Sequence, residues 1–208
     1  PVGIRETLSA YDDYVYLKPS ESEKTVYLTF NMAYENGVTA KILDILAEKQ
    51  VKAIFFVSKE YITEPQNEDL LRRMLTEGHL IGSRGDIAGK GMSEKSAQDF
   101  CDTLWAMEER YQELAGDTER MLYYRPNAIS PRDYELARAM GYTVVFRSYM
   151  YYDFDNTYGV TKALSNLIVK TSNGVIFQLS ASEINANILK DYITQITQKG
   201  YVLKRIDQ

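Results

Sequence analysis

The chain has 208 residues, of which 45% are hydrophobic, so it can form one sizeable core and is expected to form one domain. Its formal net charge of -5 argues against electrostatic binding to nucleic acid or an anionic membrane, and mildly disfavours polyanionic ligands. The single cysteine, Cys101, excludes an internal disulfide, and no apolar run of about eighteen residues predicts a transmembrane helix. The sequence begins at Pro1 without a basic and apolar leader, which fits a cytoplasmic protein or the mature part of a secreted one.

Residues 1–24 mix tyrosine with charge and end in a polar connector, so they are predicted to form an N-terminal arm, and residues 25–208 the domain itself. Within the domain, short apolar runs typical of strands alternate with longer stretches typical of helices. The predicted strands are 26–30, 53–57, 80–82, 121–124, 142–146, 174–179 and 201–204. The predicted helices are 39–49, 68–77, 93–115, 132–140, 158–169 and 183–199. This succession of βα units predicts a parallel sheet that is closed or nearly closed.

The long predicted helix 93–115 carries one apolar stripe that would face the sheet, and four predicted helices end at a glycine suited to a left-handed cap. The stripe consists of Phe100, Leu104, Met107, Tyr111 and Leu114, and the glycines are Gly78, Gly116, Gly141 and Gly200. Cys101 lies beside the stripe. Because a reactive thiol needs an accessible, electropositive setting, Cys101 is interpreted as a small core residue.

In a parallel βα architecture the ligand site lies at the carboxyl ends of the strands, so the segments that follow the strands are the candidates for function. These segments include Thr29-Phe-Asn-Met-Ala-Tyr-Glu-Asn-Gly37, Glu77-Gly-His-Leu-Ile-Gly82, Tyr124-Arg-Pro126, Gly141-Tyr-Thr-Val-Val-Phe146 and Lys199-Gly-Tyr201. In order, spacing and local sequence, the chain from Lys24 onward resembles the NodB-homology polysaccharide deacetylases of carbohydrate esterase family four. Within that family it is most similar to the sporulation-type enzymes that act on muramic acid in peptidoglycan. The resemblance implies an α/β fold, a distorted (β/α) barrel of seven or eight βα units with a shallow groove for glycan.

The resemblance also implies a zinc ion, held by one Asp and two His, that polarises the acetamide and activates water. In this chain Asn31 stands at the position of the catalytic base, and Met32, Arg84 and Ala88 stand at the positions of the three metal ligands. An amide takes no proton near neutral pH, a thioether binds such a cation poorly, and a guanidinium offers no lone pair. The sequence therefore predicts that the zinc site and the base are lost and that no cofactor is bound.

The remaining family motifs are only partly kept. Arg125 matches the arginine that orients the catalytic Asp, and Asp153 matches the Asp that buttresses the catalytic histidine, whereas Arg147 replaces a tryptophan. The position of the catalytic histidine falls on either Leu179 or Ser180. Neither side chain is a general acid of suitable pKa, so no catalytic residue is expected.

Replacement chemistry would have to come from other side chains near the strand ends. The only histidine, His79, is interpreted as a helix-end residue that caps a helix or bonds backbone. Four carboxylates lie near predicted strand ends: Glu35, Asp86, Asp153 and Asp155. They could in principle bind Mg²⁺ or Ca²⁺, but their spacing matches no ligand pattern, and solvation or pairing with arginine is favoured. With Arg84, Arg125 and Arg147 they would form an arginine–carboxylate cluster that fills the groove.

Tyrosine is abundant, with 17 residues, and several lie near two predicted strand ends. These are Tyr123, Tyr124, Tyr149, Tyr151, Tyr152 and Tyr158. They either pack in strands and at loop edges or form an aromatic platform for sugar rings. The predicted groove residues are Tyr34, Arg84, Asp86, Tyr124, Arg147 and Tyr149.

The favoured function is that of a non-catalytic deacetylase-like protein that binds cell-wall glycan or a protein partner. The alternative is an active hydrolase of non-peptide C–N bonds that removes N-acetyl groups from peptidoglycan or chitooligosaccharide with an altered site. A purely structural domain with a filled groove would differ from the first only in lacking ligand affinity. No nucleic acid partner is expected, and the usual substrates of the family imply an extracytoplasmic location.

Overall fold

The computed structural model of the chain describes residues 23–87, 91–128, 130–154 and 157–208. The predicted N-terminal arm therefore lies outside the described residues except for its last two, and Lys24 already belongs to the first strand. Across the described ranges, no helix is both long enough and apolar enough to cross a membrane.

Eight strands and seven α-helices alternate along the described part of the chain. The strands are β1 Lys24–Met32, β2 Ile54–Val57, β3 Leu80–Ser83, β4 Tyr123–Tyr124, β5 Thr143–Val144, β6 Tyr149–Met150, β7 Val175–Ser180 and β8 Tyr201–Lys204. The helices are α1 Thr39–Glu48, α2 Lys59–Thr63, α3 Glu68–Thr76, α4 Ala97–Ala115, α5 Pro131–Ala139, α6 Val160–Lys170 and α7 Glu183–Gln198. Short 3₁₀ helices occupy Pro65–Asn67 and Met92–Glu94.

The strands pair in parallel, in the order β5-β4-β3-β2-β1-β7-β6. β7 pairs with residues 26–31 of β1 along one edge. β8 pairs with residues 24–27 of β1 and β2 pairs with residues 29–32, so β8 and β2 share the other edge. The strand β1 is therefore the centre of the sheet.

The sheet curls into a distorted barrel because residues 145–148 connect its two ends. The Val145 N–H donates to the Tyr124 carbonyl in β4 at 2.9 Å, and the Ser148 N–H donates to the Ile176 carbonyl in β7 at 2.9 Å. One short segment is thus bonded to β4 and β7, the strands next to the two ends of the sheet. The predicted fold class, a distorted (β/α) barrel of seven or eight units, is confirmed.

Alternation along β1 divides its side chains between two apolar clusters. Val26, Leu28, Phe30 and Met32 belong to the large cluster between the sheet and the helices. Tyr27 belongs to a smaller cluster inside the barrel, with Ile54, Phe56, Val145, Ile176 and Ile206. Thr29 and Asn31 have the same parity as Tyr27, so they face the barrel interior and its mouth.

The strands and helices predicted from the sequence are confirmed, with small shifts at their ends. Helix α4 begins at Ala97 rather than at residue 93, because the Ser96 side chain caps it by accepting the Asp99 N–H at 3.0 Å. The predicted stripe of α4 is buried, and Cys101 packs partly buried against the core. The four predicted cap glycines all have positive φ angles. The elements that were missed are short: α2 has five residues and β6 has two.

Candidate functional site

A groove of about 490 Å³ opens where β1, β3 and β7 end, beside β6 and the residues that follow it. It is lined by Asn31, Met32, Ala33, Tyr34, Asn36, Arg84, Met150, Tyr151, Asp153, Phe154, Gln178, Ser180 and Ala181. This is the edge at which a parallel βα fold places its ligand site. Of the predicted groove residues, Tyr34 and Arg84 line it. Asp86, Tyr124, Arg147 and Tyr149 lie outside its lining.

Arg125 follows β4, is only 2% exposed, and lies behind Asn31, which lines the groove. Its Nη1 donates to the Thr29 hydroxyl at 2.6 Å and to the Asn31 side-chain oxygen at 3.4 Å. The guanidinium also lies over the Phe56 ring, with 4.2 Å between Cζ and the ring centroid, a cation–π contact. Arg125 therefore touches residue 31, as the family resemblance implied, but it contacts an amide there.

The positive charge of Arg125 has little compensation. Its Nε and Nη2 atoms are buried without a hydrogen-bond partner among the described residues. Burial lowers the pKa of Arg125 well below its ordinary value, and repulsion by Arg147 and Arg84 lowers it further. Since arginine is not deprotonated in proteins, the guanidinium is a buried cation.

Two further arginines hold amides near the groove. Arg84 follows β3, and its Nη2 donates to the Asn127 side-chain oxygen at 3.2 Å, while its buried Nε has no partner among the described residues. Burial lowers the pKa of Arg84, and the Glu60 carboxylate partly offsets this effect. The exposed Arg147 donates to the side-chain oxygen of Gln178 at 3.4 Å. Both side chains thus bond to neutral groups.

The predicted arginine–carboxylate cluster does not form among the described residues, because the candidate carboxylates have nearer partners. Glu35 accepts hydrogen bonds from the Tyr61 hydroxyl at 2.8 Å and from the Gly37 N–H at 2.7 Å, so it closes the turn before α1. Asp86 forms an ion pair with Lys95 at 3.0 Å. Asp155 lies outside the described residues.

The donors present at the groove do not fit a zinc ion. Met32 is 1% exposed and packs in the cluster between sheet and helices, so its thioether is part of the core. Arg84 has no lone pair to offer. Ala88 lies outside the described residues, and its methyl group could not bind a metal in any conformation. Within the described ranges, no three His, Cys, Asp or Glu side chains come together as a possible metal site.

Asp153 is buried at the end of the groove, where it holds the carboxyl end of β7. Its Oδ2 accepts the Ser180 N–H at 2.5 Å and the Asn185 side-chain N–H at 2.6 Å. The same Asn185 amide donates to the Ser180 carbonyl at 2.8 Å and accepts from the Tyr151 hydroxyl at 2.5 Å. Burial raises the pKa of Asp153, although its hydrogen bonds to Ser180 and Asn185 oppose the shift.

The alternation of β7 shows which of the two candidate residues, Leu179 or Ser180, faces the groove. Leu179 is 1% exposed and packs in the core, whereas Ser180 lines the groove beside Asp153. The structure therefore places Ser180 at the site and removes Leu179 from it. A serine hydroxyl titrates far outside the range that a general acid requires at neutral pH.

Exposed aromatic side chains border the groove. Tyr34 and Phe154 line it and are each 66% exposed, and the Phe154 ring contacts that of Tyr152 edge to face at 5.8 Å. Two of the predicted aromatics belong elsewhere. Tyr124 is fully buried in the core, and Tyr149 packs edge to face against Phe177 at 5.9 Å. Tyr151 was not among the predicted groove residues, yet it lines the groove.

His79 serves the fold, as the sequence suggested. Its Nδ1 accepts the Ala53 N–H at 3.1 Å, and its ring packs edge to face against Phe55 at 5.3 Å. Burial lowers the pKa of His79 to about 4, with a further lowering by Lys52 that Glu77 opposes. The imidazole is therefore neutral at physiological pH and is a structural acceptor.

A parallel βα barrel with a groove at the carboxyl ends of its strands defines a class of barrel proteins whose ligands bind at that edge. Family comparison narrows the class. A model described as polysaccharide deacetylase matches residues 18–145. The peptidoglycan-N-acetylmuramic acid deacetylase PdaA of Bacillus subtilis is 34% identical, across 98% of this chain and 77% of that protein. The chain belongs to the polysaccharide deacetylase family.

Solved structures agree. The structure of Bacillus subtilis PdaA, a family 4 carbohydrate esterase, matches with a TM-score of 0.85 at 32% identity, over 99% of this chain and 87% of that one. A family 4 carbohydrate esterase from Bacillus anthracis matches with a TM-score of 0.80 at 32% identity, over 98% and 90%. A family 4 pseudoenzyme from Bacillus anthracis shares the fold, with a TM-score of 0.79 at 18% identity, over 92% and 69%.

Proposed function

We propose that this domain is a catalytically inactive member of the polysaccharide deacetylase family that binds cell-wall glycan in the groove. The observation that carries the proposal is the contact between Arg125 and the side-chain oxygen of Asn31. In the family pattern this arginine orients the carboxylate that takes a proton from water. An amide has no such capacity near neutral pH, so the pair is kept while its chemistry is lost.

The metal positions support the same conclusion. Deacetylation in the family depends on a zinc ion that polarises the acetamide carbonyl. At the matching positions this chain has Met32, whose thioether is in the core, and Arg84, whose charge repels a cation. An active enzyme can tolerate a change at one such position, but here the position of the base, Asn31, and those of the metal ligands, Met32 and Arg84, are all replaced.

The groove itself supports glycan binding. Tyr34 and Phe154 expose aromatic faces on which sugar rings can stack, and Gln178 adds an amide able to bond hydroxyl groups. The Bacillus subtilis relative is named for N-acetylmuramic acid in peptidoglycan. We therefore take cell-wall glycan as the ligand and an extracytoplasmic location as the place of action, with no cofactor and no nucleic acid partner.

One observation favours the alternative of an active enzyme with an altered site. Asp153 is a buried carboxylate in the groove lining with a raised pKa, which is a property of general acids. Its hydrogen bonds to the Ser180 and Asn185 N–H groups weaken this reading, because both stabilise the charged form.

The test combines a binding assay with an activity assay on the purified chain supplied with zinc. We expect chitooligosaccharide and peptidoglycan fragments to bind, with no release of acetate and no stoichiometric zinc in the groove. Tyr34→Ala and Phe154→Ala should each weaken glycan binding by about fivefold, since stacking on an exposed aromatic ring contributes about 1 kcal/mol. The matched control is Trp105→Ala, an exposed aromatic on α4 outside the groove lining.

Acetate release that is abolished by Asp153→Asn would establish the enzyme alternative and reject the proposal. Absence of glycan binding, combined with retention on a protein partner from the same cell wall, would show that the groove serves protein recognition. Micromolar or tighter zinc binding would contradict the assignment of Met32 and Arg84 to the former metal positions.

A further inference from the structure

A pocket of about 360 Å³ lies where helices α3 and α4 both end, and it shares no lining residue with the groove. It is lined by Arg72, Leu75, Thr76, Tyr111, Leu114, Ala115 and Glu119. The last two residues of each helix are among them, so the carbonyl ends of both helices meet at the pocket. The Arg72 Nη1 already donates to the Leu114 carbonyl at 3.2 Å. Because the carboxyl end of a helix carries partial negative charge, this place favours a cation.

The walls of the pocket are apolar. Leu114 and Tyr111 belong to the buried core cluster, and Leu75 and Ala115 are partly buried against that cluster. All four line the pocket, so each presents part of its surface there. An aliphatic chain that entered the pocket would exchange water for contact with these side chains, which is favourable.

Two polar groups of the pocket lack a partner within the described ranges: the Tyr111 hydroxyl and the Glu119 carboxylate take part in no hydrogen bond or ion pair there. Burial raises the pKa of the Tyr111 phenol, and the charges of Glu119 and Glu108 raise it further. The phenol is therefore neutral at physiological pH, with oxygen lone pairs to offer, and the carboxylate has four lone-pair sites.

The arginine of the pocket does not neutralise Glu119, because its charge is taken by other groups. The Nε and Nη2 of Arg72 both donate to Glu68, at 2.9 and 2.8 Å. Arg110 pairs with the same Glu68 and with Glu113, each at 2.7 Å. These two arginines and two glutamates balance in charge, so the charge of Glu119 remains for a ligand.

We propose that this pocket binds the lysine-type side chain of a peptide, with the aliphatic stem against Leu75 and Leu114 and the ammonium between Glu119 and the Tyr111 hydroxyl. A primary ammonium is compact and has three donors, which match a carboxylate, a phenol oxygen and the carbonyls at the helix ends. A neutral alkyl group would leave Glu119 without a partner. The site is separate from the groove, so the inference does not depend on glycan binding.

The test compares two small ligands that differ only in the ammonium group. Nα-acetyl-lysine methylamide is titrated into the isotope-labelled full chain and followed by NMR, and Nα-acetyl-norleucine methylamide has the same carbon chain without the charge. We expect saturable shifts at the backbone amides of Leu75, Tyr111 and Glu119. The lysine compound should bind about tenfold more tightly than the norleucine compound, because its hydrogen bonds involve charged groups. This preference should shrink as the salt concentration rises.

Two variants locate the ammonium. Glu119→Gln changes an exposed side chain and should reduce the affinity for the lysine compound to that for the norleucine compound. Tyr111→Phe keeps the ring, removes the hydroxyl and should weaken binding of the lysine compound by about threefold. The matched control is Glu109→Gln, which changes an exposed carboxylate of α4 outside the pocket lining and should leave the preference intact.

Three results would overturn the inference: no saturable shift at the pocket, equal binding of the two compounds, or a preference for lysine that survives Glu119→Gln. Binding of chitooligosaccharide is measured in parallel on the parent chain and on Glu119→Gln. The two proteins should bind the sugar equally, because the pocket and the groove have no residue in common. A failure of the peptide site is thereby distinguished from a failure of the glycan groove.

Discussion

Replacing Asn31 by Asp should stabilise the fold, because it returns a counterion to a buried guanidinium. The Asn31 side-chain oxygen lies 3.4 Å from the Nη1 of Arg125, and an isosteric carboxylate oxygen would occupy the same place. At an effective dielectric constant of about 20, the attraction over that distance is about 5 kcal/mol. Desolvation of the new carboxylate removes several kcal/mol of this gain. A net stabilisation of about 2 kcal/mol remains, which corresponds to about 4–8 °C in Tm for a chain of this size.

The measurement is urea denaturation and scanning calorimetry of the parent and the Asn31→Asp variant at pH 7 and in acid. A salt-bridged carboxylate has a lowered pKa in the folded state, so its stabilisation is present above the unfolded value of about 3.9 and is lost as pH falls through the folded value. The control is Asn127→Asp, which makes the same change at an exposed residue. Its carboxylate would pair with Arg84 in contact with solvent, so it should contribute less than about 1 kcal/mol. An unchanged or lowered Tm for Asn31→Asp would refute the view that Arg125 lacks a counterion.

Three other predictions concern the scaffold. As pH falls from 6.5, the ordinary pKa of histidine, to about 4, the lowered pKa of His79, the fold should lose about 3 kcal/mol of stability. The reason is that only the unfolded chain binds the proton in this range. His79→Gln should flatten this pH dependence in urea denaturation measured at several pH values. Asn185→Leu should lower the free energy of unfolding by about 3 kcal/mol or more, because it leaves Tyr151, Asp153 and Ser180 without their buried hydrogen-bond partner. The control, the exposed Asn187→Leu on the same helix, should change stability by less than about 0.5 kcal/mol; both are measured by thermal unfolding. Gly82→Ala should cost about 1–3 kcal/mol by the same measurement, because its methyl group would lie 2.7 Å from the Phe56 ring; a neutral result would mean that the ring moves freely.

Much of the fold could be predicted because its elements are long enough to show a period. Helix α4 displays its stripe from Phe100 to Leu114, and its end is marked by Gly116. The five residues of α2 and the two of β6 are too short for either period to appear. The closure by residues 145–148 depends on bonds to two distant strands, which no local pattern reports.

The sequence predicted which segments reach the site, because that follows from their order along the chain. It was less informative about which side chain of a segment faces the groove. The family pattern predicts that Asn31 and Arg84 belong to the site, and both line the groove. The choice between Leu179 and Ser180 required the phase of β7, because adjacent residues of a strand face opposite sides. The same effect sends Tyr124 into the core although its neighbour Arg125 contacts Asn31, which lines the groove.

The expected arginine–carboxylate cluster fails for another reason. Pairing depends on distances in space, and the Lys95 side chain lies 3.0 Å from that of Asp86 although the two are nine positions apart in sequence. Asp153 is likewise taken by N–H groups of Ser180 and Asn185. Counting charges of opposite sign near strand ends could not reveal these competing partners.

The replacements at residues 31, 32 and 84 change the chemistry of the site in one direction. In the family pattern one carboxylate is the catalytic base, which an arginine orients, and another helps to bind a divalent cation. That cation polarises the carbonyl of the bound acetamide. Here Asn31 and Met32 remove the anions, and Arg84 adds a fixed cation to Arg125. A guanidinium binds an anion through directed N–H groups but is a weak Lewis acid compared with a metal ion. On the proposed function, the loss of hydrolysis follows from this exchange, because an amide cannot take a proton from water and a guanidinium cannot polarise the acetamide as a metal ion does.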